Sequence, residues 1–288
     1  MASVVIAAHQ EESVIGRCLD ALSRQERVDR LEIVVSANGC TDGTVIAALR
    51  PGVRVLDRPE PGKTGALNAA DDVASSFPRI YLDADIELAP DAVHRLSEAL
   101  AASPETLVAV PARRIETCGR PVLVRAYYAI NAQLPVFRDG LFGRGTICVS
   151  AAGRSRFGRF PAIVADDLFL DSLYSATERV VVPEVEVVVQ APHTTRDLLA
   201  RLVRVRRGNA ELRAVGGEVS AGTSPRTGDN WAWLRSVVLP NPRLAPAAVA
   251  YVLITVAASV LARHTSSTAW GRDESTRTAA TATTSATR

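Results

Sequence analysis

From residue 3 to residue 110 the chain switches back and forth between two hydrophobic periods. Apolar runs of strand length alternate with stretches whose apolar residues recur at helical spacing. Ser3–Ala8 reads as a buried strand, His9–Ser13 as a polar turn, and Val14, Ile15, Leu19 and Leu22 as one face of a helix. Leu31–Val35 is a second strand. Residues 38–43 are a turn in which Thr41 or Asp42 can cap a helix ending near Arg50. Val53–Leu56, Arg79–Asp83 and Thr106–Val110 read as further strands, with helices over Thr64–Ala74 and Pro90–Ala101. This alternation predicts an α/β fold, a doubly wound and mostly parallel sheet with helices on both faces. Ligands of such sheets bind at the carboxyl ends of the strands. The turns at 9–13, 37–43, 57–65 and 83–87 all follow strands, so they are expected to gather on one rim.

The chain has 288 residues, enough for one large domain or two small ones. Its net charge of +2 sets up no strong field, so nucleic acid is not an expected partner. Cys18, Cys40, Cys118 and Cys148 lack both CxxC and metal spacing, which predicts reduced thiols rather than a zinc cluster or disulfide framework. No basic n-region precedes the first apolar run, so no signal peptide is expected.

The second half is less regular. Leu141–Gly145 is glycine-rich, Val180–Gln190 reads as a strand, and Asp197–Leu212 as an arginine-rich helix. Residues 213–243 read as a linker that includes a loop at Thr223–Asn230. Leu244–Ala262 is then 19 residues without a charge, flanked by Arg243 and Arg263. That reaches the roughly 17–25 residues that span a bilayer. The stretch is rich in alanine and contains Pro246, so a membrane helix (244–263) and a buried soluble helix both remain open. The Ser/Thr/Ala-rich tail, 264–288, has the composition of a disordered segment.

Several residue groups carry chemistry. Gly62-Lys63-Thr64 looks like the end of a phosphate-binding P-loop, and Lys63 is the lone lysine of the chain. The glycine that must open such a loop falls at Asp57, and the segment follows the third strand, so a P-loop is excluded. Asp83, Asp85 and Glu87 close the fourth strand, where alternation predicts that they share a face. They are either a solvated acidic turn or a divalent-cation site. Asp166 and Asp167 interrupt an apolar stretch, as a helix cap or as a general base. Arg204 and Arg207 lie three apart on one helix face, as a solvated basic surface or as a diphosphate clamp. His193 is a metal-ligand candidate in a loop, with surface or core packing equally open.

Together these pieces resemble the family 2 glycosyltransferases, whose nucleotide-sugar-binding fold is called GT-A. The opening strand through Glu12 is similar to P-A-Y-N-E-E, and residues 38–44 to D-D-G-S-T-D-G-T. Residues 62–68 look like G-K-x-x-A-L-N, Asp83-Ala84-Asp85 like D-x-D, Asp166-Asp167 like the later E-D, and 204–207 like Q/R-x-x-R-W. The resemblance implies a glycosyltransferase domain over 1–212, with a nucleotide-binding half to about residue 110 and an acceptor half from 111. It implies a UDP- or GDP-sugar donor and a glycan or lipid-linked acceptor. Ala8, His9, Glu11 and Asn38 would line the nucleobase pocket, with Lys63 near base and diphosphate. Asp83 would approach ribose or metal, Asp85 would hold Mn²⁺ or Mg²⁺, and Glu87 or His193 would complete the shell. Asp167, beside Asp166, would be the base of an inverting transfer, and Arg204 and Arg207 would support the leaving diphosphate. The setting implied is cytoplasmic, at the inner membrane face.

Three positions depart from the family pattern. His9 replaces a tyrosine, Ala37 an acid that bonds the nucleobase, and Gly208 a tryptophan, which points away from processive synthesis. Two other readings stand beside this one. A nucleotidyltransferase would need a basic glycine-rich loop after the first strand, where His9–Glu12 is acidic. A catalytically inactive sugar-nucleotide-binding scaffold would bind donor without turnover. The sequence sets no oligomeric state.

Overall fold

A computed structural model describes residues 1–163, 165–215 and 231–264, with the backbone alone over 211–215. The expected loop at Thr223–Asn230 and the expected disordered tail from 265 onward lie outside the described residues. In chain order the elements begin β1 (Ala2–Ala8), α1 (Ile15–Ser23), β2 (Leu31–Asn38), α2 (Thr44–Ala48), β3 (Val53–Arg58) and α3 (Lys63–Val73). They continue with β4 (Arg79–Asp83), α4 (Ala92–Ala101), β5 (Val108–Glu116), α5 (Val122–Asn131), α6 (Pro135–Asp139), β6 (Thr146–Val149) and α7 (Ala151–Arg154). Then come α8 (Asp166–Leu173), β7 (Arg179–Gln190), α9 (Thr195–Val215) and α10 (Ala245–His264).

The seven strands form one sheet in the order β3-β2-β1-β4-β6-β5-β7. The first four are parallel, as the alternation of strands and helices predicts. β6 runs antiparallel to both β4 and β5, so the sheet is mixed. Val4 and Ile6 of β1 and Ile80 and Leu82 of β4 point to one face, where they pack with Ile15, Cys18, Leu19 and Leu22 of α1 and with Val93 and Leu96 of α4. α3 covers the other face. There Tyr81 donates its hydroxyl hydrogen to Asp71 at 2.7 Å, and Asp71 also takes Arg79 and Arg154. Asp71 and Arg79 are almost wholly buried, so each charge is tolerable only because the other is present.

Two compact units emerge. The first contains Met1–Arg114 and Leu141–Val187. The second contains Ile115–Gly140 together with α9 and α10. Within the second, Val124, Tyr127 and Tyr128 of α5, Leu198 of α9 and Ile254 of α10 share a small core. Tyr127 stacks on Tyr251 with ring centroids 5.2 Å apart. Residues 111–212, read as one acceptor half, are shared between the two units. The part of the expected linker that is described, 231–243, holds a π-helical turn at Trp233–Val238 and a 3₁₀ turn at Pro242–Leu244.

Candidate active site

Three loops at the carboxyl ends of β1, β2 and β3 are tied to one another. The Gln10 side-chain carbonyl accepts from the Thr41 and Asp42 amides at 2.9 and 3.1 Å, and its amide donates to the Thr41 hydroxyl. The Glu11 amide donates to the Thr44 hydroxyl at 2.7 Å, and the Glu12 carboxylate accepts from the Gly43 amide at 3.1 Å. The cap position of α2 is Gly43 rather than Thr41 or Asp42, and Asp42, one residue earlier, accepts from the Thr44 amide at 3.1 Å. Asn38 joins the third loop. Its amide donates to the Ala8 carbonyl at 2.8 Å, and its carbonyl accepts from the Gly62 amide at 2.9 Å. Asn38 is fully buried, so both bonds run in a dry setting where each unmade one would be costly.

Gly62 sets up the turn into α3 with φ +150°, a value that side chains avoid. Lys63 then opens the helix. Its ammonium lies 2.8 Å from Asp83 at the end of β4 and 3.0 Å from Asp166 at the start of α8. Burial disfavours the charge, but Asp166, Asp83 and Asp167 outweigh it and hold the lysine well above its ordinary value. Burial pushes the Asp166 carboxyl up to about 6, against the downward pull of Lys63 and with help from Asp167 and Asp83. One turn further along α3, Asn68 grips the backbone of Phe160 through both amide atoms, at 2.8 and 3.0 Å. The segment leading to Asp166 is thereby fixed to the helix that carries Lys63.

The Leu141–Gly145 loop completes the arrangement. The Gly145 carbonyl accepts from the Asp83 amide at 2.8 Å. The Gly143 amide donates to Asp167 at 2.9 Å, and the Leu168 amide donates to the other oxygen of Asp167 at 2.8 Å. Asp171 accepts from the Leu141 amide at 2.8 Å. Gly143 and Gly145 both have positive φ, at 68° and 64°. A Cβ on Gly145 would come within 2.6 Å of Ile86 and 3.1 Å of an Asp83 oxygen. A cluster of one lysine and three aspartates thus sits at the carboxyl edge of the parallel strands, braced by buried amides and a glycine loop.

The sequence pattern of glycosyl transferase family 2 matches residues 3–155. The chain belongs to glycosyl transferase family 2. The chondroitin synthase of Pasteurella multocida (strain Pm70) and the hyaluronan synthase of Pasteurella multocida are each 38% identical to it over 98 residues. That stretch is 32% of this chain and 10% of each synthase. In fold it is similar to the mannosyltransferase PcManGT from Pyrobaculum calidifontis, solved in complex with GDP-Man and Mn²⁺. The identity is 22% and the TM-score 0.59, covering 91% of this chain and 79% of that one. It is also similar to glucosyl-3-phosphoglycerate synthase from Mycobacterium tuberculosis in complex with phosphoglyceric acid. There the identity is 22% and the TM-score 0.54, covering 75% of this chain and 80% of that one. The shared fold is GT-A.

The family match ends before Asp166, so the roles of the later residues rest on geometry. Ala8 and Asn38 are buried, and Asn38 spends both ends of its amide inside the protein. Asn38 thus braces the β1, β2 and Gly62 segments of the loop cluster in which the base pocket is expected. His9 is half-buried, with Nδ1 2.6 Å from the Asn38 carbonyl, and Glu11 is buried. β4 ends at Asp83, so Asp85 and Glu87 are not strand residues as alternation predicts. Burial still alternates: Ala84, Ile86 and Leu88 are buried, while Asp85 and Glu87 are exposed. Burial pushes the Cys18 thiol below them up to about 12, with Asp85, Asp83 and Glu87 adding to it.

The four predicted metal ligands are not one cluster. Glu87 is ion-paired with Arg17 at 2.9 Å, and His193 belongs to the second unit, where Nδ1 lies 3.1 Å from Arg120. Among the described residues no three His, Cys, Asp or Glu side chains gather at ligating distance. Asp83 and Asp85 still suit a hard cation, because Mg²⁺-type sites use one or two carboxylates with substrate phosphates and water. Arg204 and Arg207 are half-buried on α9 of the second unit. The Leu141–Gly145 loop is the site component that the motifs did not assign; its glycines were the available signal.

Proposed function

We propose that this family 2 enzyme is an inverting, metal-dependent transferase that moves a sugar from a UDP- or GDP-sugar to an acceptor hydroxyl of a glycan or lipid. The observation that carries the reading is the division of labour between Asp166 and Asp167. Lys63 holds Asp166, whereas Asp167 is oriented by two backbone amides that leave lone pairs on both oxygens. An oriented carboxylate in the first turn of a helix is suited to take the proton of a neutral nucleophile. Asp85, with Asp83 beside it, is the residue suited to hold Mn²⁺ or Mg²⁺. A cation there supplies compensation for charge developing on the leaving diphosphate. Lys63 contributes a fixed positive charge at the same edge, and Arg204 and Arg207 are the further candidates to meet the diphosphate. His9 is the residue suited to stack on the base. The long apolar helix α10 supports work at the cytoplasmic face of a membrane.

Asp167→Asn and Asp85→Ala test the reading. Asp85→Ala is expected to keep the wild-type melting temperature, and Asp167→Asn to stay folded with a loss of about 1–3 kcal/mol, because the asparagine nitrogen cannot accept from one of the two backbone amides. Both should lose transfer by about 10²-fold or more, measured as released nucleoside diphosphate. Wild-type rates in both would overturn it.

A further inference from the structure

Pro242–His264 is long and apolar enough to cross a membrane. We infer instead that α10 lies flat in the surface of an anionic bilayer, half immersed and still packed on its own unit. The inference rests on the membrane placement proposed above and says how the surface is met.

Two opposite stripes run along α10. Ala250, Ile254 and Ala258 are buried, at a spacing of four. Val249, Leu253, Val256 and Val260 recur at helical spacing on the other side and are 60, 64, 54 and 49% exposed. The buried side is held along its length. Tyr251 stacks on Tyr127 of α5 near the middle. Further on, Arg206 of α9 donates to the Ser259 hydroxyl at 3.0 Å and to the Thr255 carbonyl at 3.1 Å. α9 also carries Arg201, Arg204 and Arg207. If α10 spanned a bilayer in this packing, it would carry α9's arginines into hydrocarbon, which is strongly unfavourable. A flat helix keeps α9 on the aqueous side and buries only the outer stripe.

The chemistry of the partner follows from charge. Residues 231–264 hold Arg235, Arg243 and Arg263 and no acidic residue. Arg243 and Arg263 are exposed and bracket the stripe. Exposed Trp231 and Leu239 lie just ahead of the helix, and tryptophan favours the headgroup level. An apolar stripe between arginines, with an interfacial aromatic, matches a bilayer bearing anionic headgroups.

The test is flotation of the full chain with phosphatidylcholine vesicles and with vesicles containing phosphatidylglycerol, joined to nitroxide depth measurements. Binding to the anionic vesicles is expected. Leu253→Glu with Val256→Glu should lower it by about tenfold or more while leaving the fold intact, because both side chains are exposed. Arg243→Gln and Arg263→Gln should each lower the anionic preference by about fivefold. Labels placed singly at 249, 253, 256 and 260 should report one shallow depth. A spanning helix would instead spread 249 and 260 by about 16 Å, and that result overturns the inference. So does failure to float, whether the protein is then monomeric or pairs through this stripe with a second copy. Donor turnover measured in the same samples reads the enzymatic proposal separately.

Discussion

Lys63 shows how far one side chain can be interpreted from its neighbours in sequence. Its ammonium binds Asp83 and Asp166 at 2.8 and 3.0 Å, so it neutralises part of the acid cluster before any ligand arrives. Lys63→Ala is expected to weaken donor binding by about tenfold or more and to slow bound-state transfer less. Calorimetry with UDP- and GDP-sugars, set against kcat, checks this; a defect in kcat alone would contradict it. The residues that carry charge at the rim were legible because their types and spacing are chemical: Asp83, Asp85, Asp166, Asp167 and Lys63 all stand out in the chain. What each one touches was not legible. The resemblance places Asn38 at the base pocket, and nothing in the sequence shows that it also pins β1, β2 and the Gly62 turn together. Glu87 pairs with Arg17, 70 positions away. Long-range pairing of this kind leaves no local mark.

At the scale of the element, loops do the precise work. Gly145→Ala would force an alanine into φ +64° and drive its Cβ to 2.6 Å from Ile86. A loss of about 1–3 kcal/mol in unfolding free energy is expected. Because the Gly145 carbonyl holds the Asp83 amide, weaker donor binding should accompany it. Denaturant melts and donor titrations check both. A second prediction concerns the 3₁₀ turn at Ala176–Glu178. There Glu178 closes a capping box with Ser175 and pairs with Arg156. The Arg156 bond first, then the Ser175 amide and hydroxyl, pull the Glu178 carboxyl down to about 2. A lowered native value means that this stabilisation is complete above about 4.5 and disappears as pH falls through about 2. The melting gap between wild type and Glu178→Gln should therefore be open at pH 7 and close toward pH 2. α1, α3, β4 and β7 were readable from period and composition. β6 was not, because four residues, Thr146–Val149, are too few to show a period. Nor was α5, whose outward side carries Val122, Leu123, Ala126 and Ala129 and so shows no polar stripe opposite its buried one.

For the whole molecule, chelation is the broad test. EDTA is expected to abolish transfer, and Mn²⁺ or Mg²⁺ to restore it, with the melting temperature without donor unchanged, because no folding contact described depends on a metal. A fall in that temperature on chelation would place the cation in the fold instead. The parallel half of the sheet was legible from the order of strands and helices. The antiparallel insertion of β6 between β4 and β5 was not, since it depends on pairing partners distant in the chain. One compositional oddity has a practical consequence. Of the 33 basic residues, Lys63 alone is a lysine. Its amine is therefore the one lysine amine in this sequence for reductive ¹³C-methylation to label. The methyl resonance of residue 63 would be a spectroscopic reporter at the centre of the acid cluster, with which the proposed binding of donor and cation can be followed without a mutation.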